Sequence, residues 1–266
     1  MIRLGLTNDF ILKPLTFWLE NGELSHPFKL EWHLPRENAR LLLNDQLDVA
    51  IISPLEYARH SSELQLVPQL GVASSHESRI ALLFFHENLP SFHRVLHPLP
   101  EDIYYHITRI ALMEFYEMEI EWEGRASMPS AVAEALRGYD AVLYTGNTAL
   151  DTYVQYDTRL DMVEEWCDKS AMPFVHFLIA ARQDRKLEEA MDWFSQSLNL
   201  GLRNVLKIAE AYAPGRPNPA SYYFEVIQNH YRYLLEDHDH LALKELFNYL
   251  YYYGVIEFLP ELHWMG

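Results

Sequence analysis

Short apolar runs and segments of helical spacing take turns along the first half of this chain. Ile2 to Leu6 and Phe28 to Trp32 read as buried strands, the first closed by the turn cluster Thr7-Asn8-Asp9. Between them Pro14 to Leu19 has the proline position of a short helix, with Asn21-Gly22 to end it. Arg36 to Leu43 has helical spacing, Leu47 to Ile52 is a strand, and Ser53-Pro54 opens another helix. Two longer strands follow, Leu64 to Ala73 and Arg79 to Phe85, joined by the polar loop Ser74-Ser75-His76-Glu77-Ser78. From Arg94 the alternation restarts: strand Val95-Leu96, helix Glu101 to Tyr116, strand Glu119 to Trp122, helix Ser130 to Leu136, strand Ala141 to Tyr144. This order predicts an α/β fold of two successive units. No Ser/Gly linker separates them, which suggests two lobes packed together with a cleft as the binding place.

The apolar strand Phe174 to Ala181 leads into a helix whose apolar positions Leu187, Met191, Phe194, Leu198, Leu202, Val205 and Ala209 keep steps of three and four. Two further helices are expected, set off by Pro214-Gly-Arg-Pro-Asn-Pro219 and by Asp237-His-Asp-His240. The latter offers four potential metal ligands, but alternating residues in a turn point in different directions. An Asp ahead of Leu241-Ala242-Leu243 suits a helix N-cap, so no metal is assigned.

Composition excludes several classes. A chain of 266 residues is one large domain or two small ones, and its 21 basic against 38 acidic side chains give a net charge of −17. That charge repels nucleic acid and anionic membranes, yet leaves room for a small anionic ligand held by one arginine and a few backbone amides. Runs such as Ile80 to Phe85 fall well short of the ~18–20 residues of a membrane span. Cys167 is alone, so no internal disulfide forms, and the opening Met-Ile-Arg-Leu-Gly-Leu has the pattern of a strand rather than of a secretory leader, which predicts a cytoplasmic protein. There is no glycine-rich phosphate loop, Gly-x-Ser-x-Gly elbow or His-Glu-x-x-His helix, and no cofactor is expected. Oligomeric state is not legible.

Several segments share one pattern. Leu47-Asp-Val-Ala-Ile-Ile-Ser-Pro-Leu-Glu-Tyr-Ala-Arg59 is similar to "ELDVALIPSIEYAR", and Asp161-Met-Val-Glu-Glu-Trp166, Met172-Pro-Phe-Val175 and Ala180-Ala-Arg182 are similar to "DLGEEW…LPFVFAVWAAR". Leu143 to Leu150 resembles "LLIGDEAL", and Arg3-Leu-Gly5 with Pro14-Leu15 resembles "RIG…PL". These are motifs of the MqnA-type chorismate dehydratases of the futalosine route to menaquinone. The resemblance implies a two-lobed type II periplasmic-binding-protein-like fold with a helical C-terminal tail. Lobe 1 would hold residues 1–85 and 183–266 and lobe 2 residues 86–182, with crossings near Phe84 to Asn88 and Ala180 to Asp184. It implies a lyase that removes water from chorismate, or a catalytically altered binding protein on the same scaffold, with a small anionic metabolite in the inter-lobe cleft.

The loops depart from the family. In "SYLNTxPL" the Ser position is Asn8 and the Asn position is Ile11, which can neither donate nor take a proton, with Leu12 after it. "SSDGPVGS" reads Ser74-Ser-His-Glu-Ser-Arg-Ile80, "TSESATS" reads Pro98 to Tyr104, and the Asp of "IGDEAL" is Asn147. Substrate contacts are expected from Asn8, Ile11, Arg36, Ser53, Ser74, Ser75 and Asn147. Arg36 either forks onto a carboxylate or is an exposed arginine at a helix start. Asp9 and His76 are the candidates for proton transfer, with a solvent-facing loop histidine as the other reading of His76.

Overall fold

The first run of alternation folds as β1 (Ile2–Leu6), α1 (Lys13–Glu20), β2 (Phe28–Trp32), α2 (Pro35–Leu43), β3 (Val49–Ile52), α3 (Pro54–His60) and β4 (Leu64–Ser74), in a computed structural model that describes residues 1–87, 91–185 and 188–265. Proline occupies the first turn of all three helices, where its missing N–H is no loss. The second run gives β5 (Ala81–Phe85), β6 (Arg94–Pro98), α4 (Ile103–Glu114), β7 (Glu121–Arg125), α5 (Val132–Ala135), β8 (Ala141–Thr145), α6 (Gly146–Thr152), β9 (Arg159–Asp161) and α7 (Met162–Ser170). The remainder is β10 (Phe174–Arg182), α8 (Glu188–Arg203), α9 (Val205–Tyr212), α10 (Ala220–His230), β11 (Arg232–Leu234) and α11 (Asp237–Tyr252).

Two sheets result. The first has the order β11-β4-β10-β3-β1-β2 and the second β7-β6-β8-β5-β9. In the first, β1 is parallel to β2 from Ile2 opposite Phe28 to Leu6 opposite Trp32, and parallel to β3 with Leu4 opposite Val49. All four residues of β3 are buried, as are the first eight of β10, which is why both read as unbroken apolar runs rather than alternating ones. In the second sheet Leu82, Phe84, Leu96, Val142 and Tyr144 share one core with Val132, Leu136 and Tyr139 from the α5 region.

The chain divides into a first unit of residues 1–74, 175–214 and 220–266 and a second of 75–174 and 215–219. The expected boundaries at 85/86 and 182/183 are therefore corrected. β5 takes its hydrogen bonds from β8 and β9, so residues 75–85 go with the second sheet. β10 inserts beside β3, so residues 175–182 go with the first. Residues 215–219 return to the second unit, where Arg216 pairs with Asp151 at 2.7 Å. The chain thus crosses more than twice, and Asn88 lies outside the described residues.

The helical tail also differs in detail. The expected single helix from Leu187 to Ala209 breaks at Asn204, whose backbone leaves the helical region, and Leu202 is 45% exposed. Leu187 lies outside the described residues. α8 packs on α1 through Gly201, where a Cβ would come within 2.2 Å of the Pro14 carbonyl oxygen. Asp237 to His240 is the first turn of α11 rather than a turn before it, and Glu236 supplies the N-cap. No helix among the described residues is long and apolar enough to cross a membrane.

Candidate functional site

Strand register decides which polar side chains of the first unit share an edge. Leu178 lies opposite Ile52, so antiparallel β10 begins where β3 ends. Arg232 lies opposite Ala73, so antiparallel β11 begins where β4 ends. Asp9, Ser53, Ser74, His176 and Arg232 therefore collect at the carboxyl edge of this sheet, the end at which open α/β sheets place ligands. Asn38, fully buried on α2, ties the edge together by donating from Nδ2 to the Leu6 carbonyl at 3.3 Å and the Ile51 carbonyl at 2.9 Å. Gly5 makes room for it, since a Cβ there would sit 2.4 Å from Asn38 Oδ1.

Each polar group at this edge has a defined setting. Asp9 is 7% exposed and accepts from the Ile11 N–H at 3.2 Å, capping the 3-10 turn Phe10–Leu12. Ser53 caps α3 by accepting from the Glu56 N–H at 3.4 Å. Ser74 Oγ and His176 Nε2 share a hydrogen bond of 2.8 Å, both residues buried. Burial, with help from the Arg232 charge, lowers His176 to about 3, so its ring is neutral at pH 7. Tyr231 meets that ring edge-on at 5.3 Å between centroids. Arg232 pairs with Asp239, which is fully buried and completes the capping box of α11. The Tyr233 hydroxyl is buried with no hydrogen-bond partner among the described residues, and burial followed by the Asp9 charge pushes it well above the usual phenol value.

The second unit builds its own carboxyl edge. Ala81 lies opposite Thr145 and Leu82 opposite Asp161, which brings the loop before β5 beside the ends of β8 and β9. Asp161 holds that loop, accepting from the N–H groups of Ser78 at 2.7 Å and Arg79 at 2.6 Å while capping α7 through Val163 N–H at 3.0 Å. Burial raises Asp161, and those N–H bonds pull the other way. Asp102 accepts from the Tyr105 N–H and the Thr145 hydroxyl, each at 2.9 Å, joining the start of α4 to the end of β8; burial raises it too. Glu77 pairs with Arg79 at 3.0 Å and accepts from the Tyr153 hydroxyl, while the guanidinium groups of Arg79 and Arg159 lie 4.4 and 3.9 Å from the Tyr153 ring centre. Loop charges here are tied to one another.

Among the residues singled out from sequence, Asp9, Ser53 and Ser74 lie buried at the first edge, with Asn8 exposed beside Asp9. Arg36 is exposed in the first turn of α2 after β2. Ile11 is fully buried. Ser75 and His76 are exposed on the loop of the second unit, and Asn147 is half-buried in the first turn of α6. Sequence alone assigns no chemistry to His176, Arg232, Asp102 or Asp161, and Asp239 enters there only as a metal ligand or helix cap. One signal was available: His176 is a lone imidazole in the otherwise apolar run Phe174 to Ala181.

Residues 2–252 match the family described as menaquinone biosynthesis. The chain is 26% identical over 238 residues to the chorismate dehydratase of Thermus thermophilus, covering 82% of this chain and 84% of that one. Among solved structures, a protein of Archaeoglobus fulgidus superposes with a TM-score of 0.76 at 17% identity, over 96% of this chain and 98% of its own. A Candida albicans protein exhibiting the generic periplasmic binding protein fold gives 0.66 at 12% identity, over 100% and 97%. The alkanesulfonate-binding protein of Xanthomonas axonopodis, bound to MOPS, gives 0.63 at 10% identity, over 99% and 96%. These likenesses establish a periplasmic-binding-protein-like fold, and the match along nearly the whole length says which branch of it this is: the chain belongs to the menaquinone biosynthesis family.

Proposed function

We propose that this chain is a chorismate dehydratase-like lyase, converting chorismate to the aromatic carboxyvinyloxy benzoate with loss of water. The observation that carries this is the family match from residue 2 to residue 252, together with the chorismate dehydratase similar over 82% of the chain. The reaction removes one ring proton and expels the ring hydroxyl, so the two leave as water and aromatisation drives the step. Its demands on the protein are donors for two carboxylates and one group that handles a proton.

In this reading the following residues are assigned to those demands. Ser53, Ser74, Ser75 and Asn147 offer hydroxyl and amide donors, Asn8 adds an exposed amide, and Arg36 is a cation able to fork onto a carboxylate. Asp9 and His76 are the proton-handling candidates in this reading. Ile11 lines the turn after β1 without contributing a polar group. Its aliphatic side chain, where the resembled pattern has an amide, favours a second reading: a protein that binds its ligand without turning it over.

Incubation of the purified chain with chorismate separates the two readings. Loss of chorismate matched by the aromatic product supports the lyase. Binding of chorismate in calorimetry with no product supports the second reading, and neither binding nor turnover overturns both as readings of chorismate chemistry.

A further inference from the structure

A buried imidazole in a strand core needs a partner, because an unsatisfied polar group there costs more than its bond returns. His176 occupies such a position on β10, between apolar neighbours Val175 and Phe177, and its Nε2 bond goes across to Ser74 at the end of β4. Both ends of that bond lie on the carboxyl edge fixed by register, and Ser74 is one of the hydroxyls the lyase reading uses. A serine hydroxyl is a rotor with one donor and two acceptor sites, so a bond to a fixed ring commits one role and sets the direction of the other. The ring is itself held: Tyr231 abuts it, and Arg232, the nearest cation from β11, is committed to the buried Asp239 of α11.

We propose that His176 is a positioning residue, which through Nε2 fixes the Ser74 hydroxyl in the direction that meets the substrate at the carboxyl edge of the first sheet. This rests on the lyase reading of that edge. Neutral at working pH, the ring acts through the hydroxyl and takes no proton from substrate. Preorganised donors work because their orientation is settled before the charge develops, and a loosened one loses rate more than affinity.

The test is a double-mutant cycle on the full chain with chorismate, comparing wild type, Ser74→Ala, His176→Phe and the combination, with thermal unfolding recorded for each. His176→Phe keeps a flat ring of similar size and removes the Nε2 bond to Ser74. The expected result is a fall in kcat of roughly 10- to 100-fold with KM within about twofold, and a double variant no slower than the slower single one. His176→Gln, which returns an amide to the same neighbourhood, is expected to recover part of the rate, and it stands in for His176→Phe in the cycle if the latter fails to fold. Full activity in His176→Phe, or losses that multiply in the double variant, would overturn the positioning role while leaving the lyase intact. Wild type that leaves chorismate untouched would overturn the lyase reading and this role with it.

Discussion

His176 makes the clearest residue-scale prediction. Its ring stays neutral in the folded chain down to about pH 3, whereas in the unfolded chain it takes a proton near the ordinary value of 6.5. Between those limits the unfolded state binds more protons, so stability from this residue is complete above about pH 6.5 and falls as pH drops toward 3. At about 1.4 kcal/mol per unit, the stability of wild type relative to His176→Phe should fall by about 3 kcal/mol between pH 7 and pH 4 in urea unfolding. The difference matters more than either profile, because Asp102 and Asp161, raised by burial, act with the opposite sign. A difference that does not change with pH would remove the buried neutral imidazole. Ile11 makes a second case. Its place in the turn after Asp9 was legible in the sequence, but its full burial was not, since a motif fixes spacing and says nothing of which neighbours close over a side chain. Ile11→Asn is expected to cost about 3 kcal/mol, combining lost burial with a buried amide, measured as a lowered urea midpoint. An unchanged midpoint would mean that the position has polar partners to offer.

At the scale of elements, the strands β3 and β10 were legible because burial on both faces leaves nearly continuous apolar runs. β11 and β9 were not: three residues carry no period, and each is defined by its antiparallel pairing with a longer strand beside it. The start of α11 was misplaced for a related reason. Asp239 looks like an exposed cap in sequence, yet it is buried against Arg232, a partner seven residues back that the pattern does not reveal. Arg232→Ala leaves that carboxylate buried and unpaired, and should cost about 3 kcal/mol in denaturant unfolding; a loss under half of that would show that solvent reaches Asp239. Gly201→Ala tests helix packing. Alanine in a helix gains about 1 kcal/mol over glycine, but here its Cβ meets a backbone carbonyl at 2.2 Å, which cannot rotate away. Overpacking costs about 1–3 kcal/mol, so net destabilisation is expected, and a rise in Tm would contradict the close approach of α8 to Pro14.

For the whole molecule, two α/β units could be read from the alternation, while the allocation of β5 and β10 to their sheets could not. Periodicity identifies a strand; which sheet takes it depends on hydrogen bonds to residues as distant as those joining Leu82 to Asp161. The same limit applied to the site. Ser74 was legible as a loop hydroxyl, and its bond to a residue 102 positions later was not. The net charge of −17 acts at this scale as well. It predicts no retention on a heparin column at low salt, and retention would reveal a basic face that the overall balance hides. The assignment to chorismate chemistry rests on a family match and on two polar carboxyl edges, so it is decided by turnover. Chorismate incubated with the purified chain and followed by absorbance and mass spectrometry should be consumed with equimolar appearance of the aromatic product lighter by one water, and Ser74→Ala should slow this without unfolding the protein. Chorismate left intact by folded wild type, at protein concentrations comparable to the substrate, would contradict it.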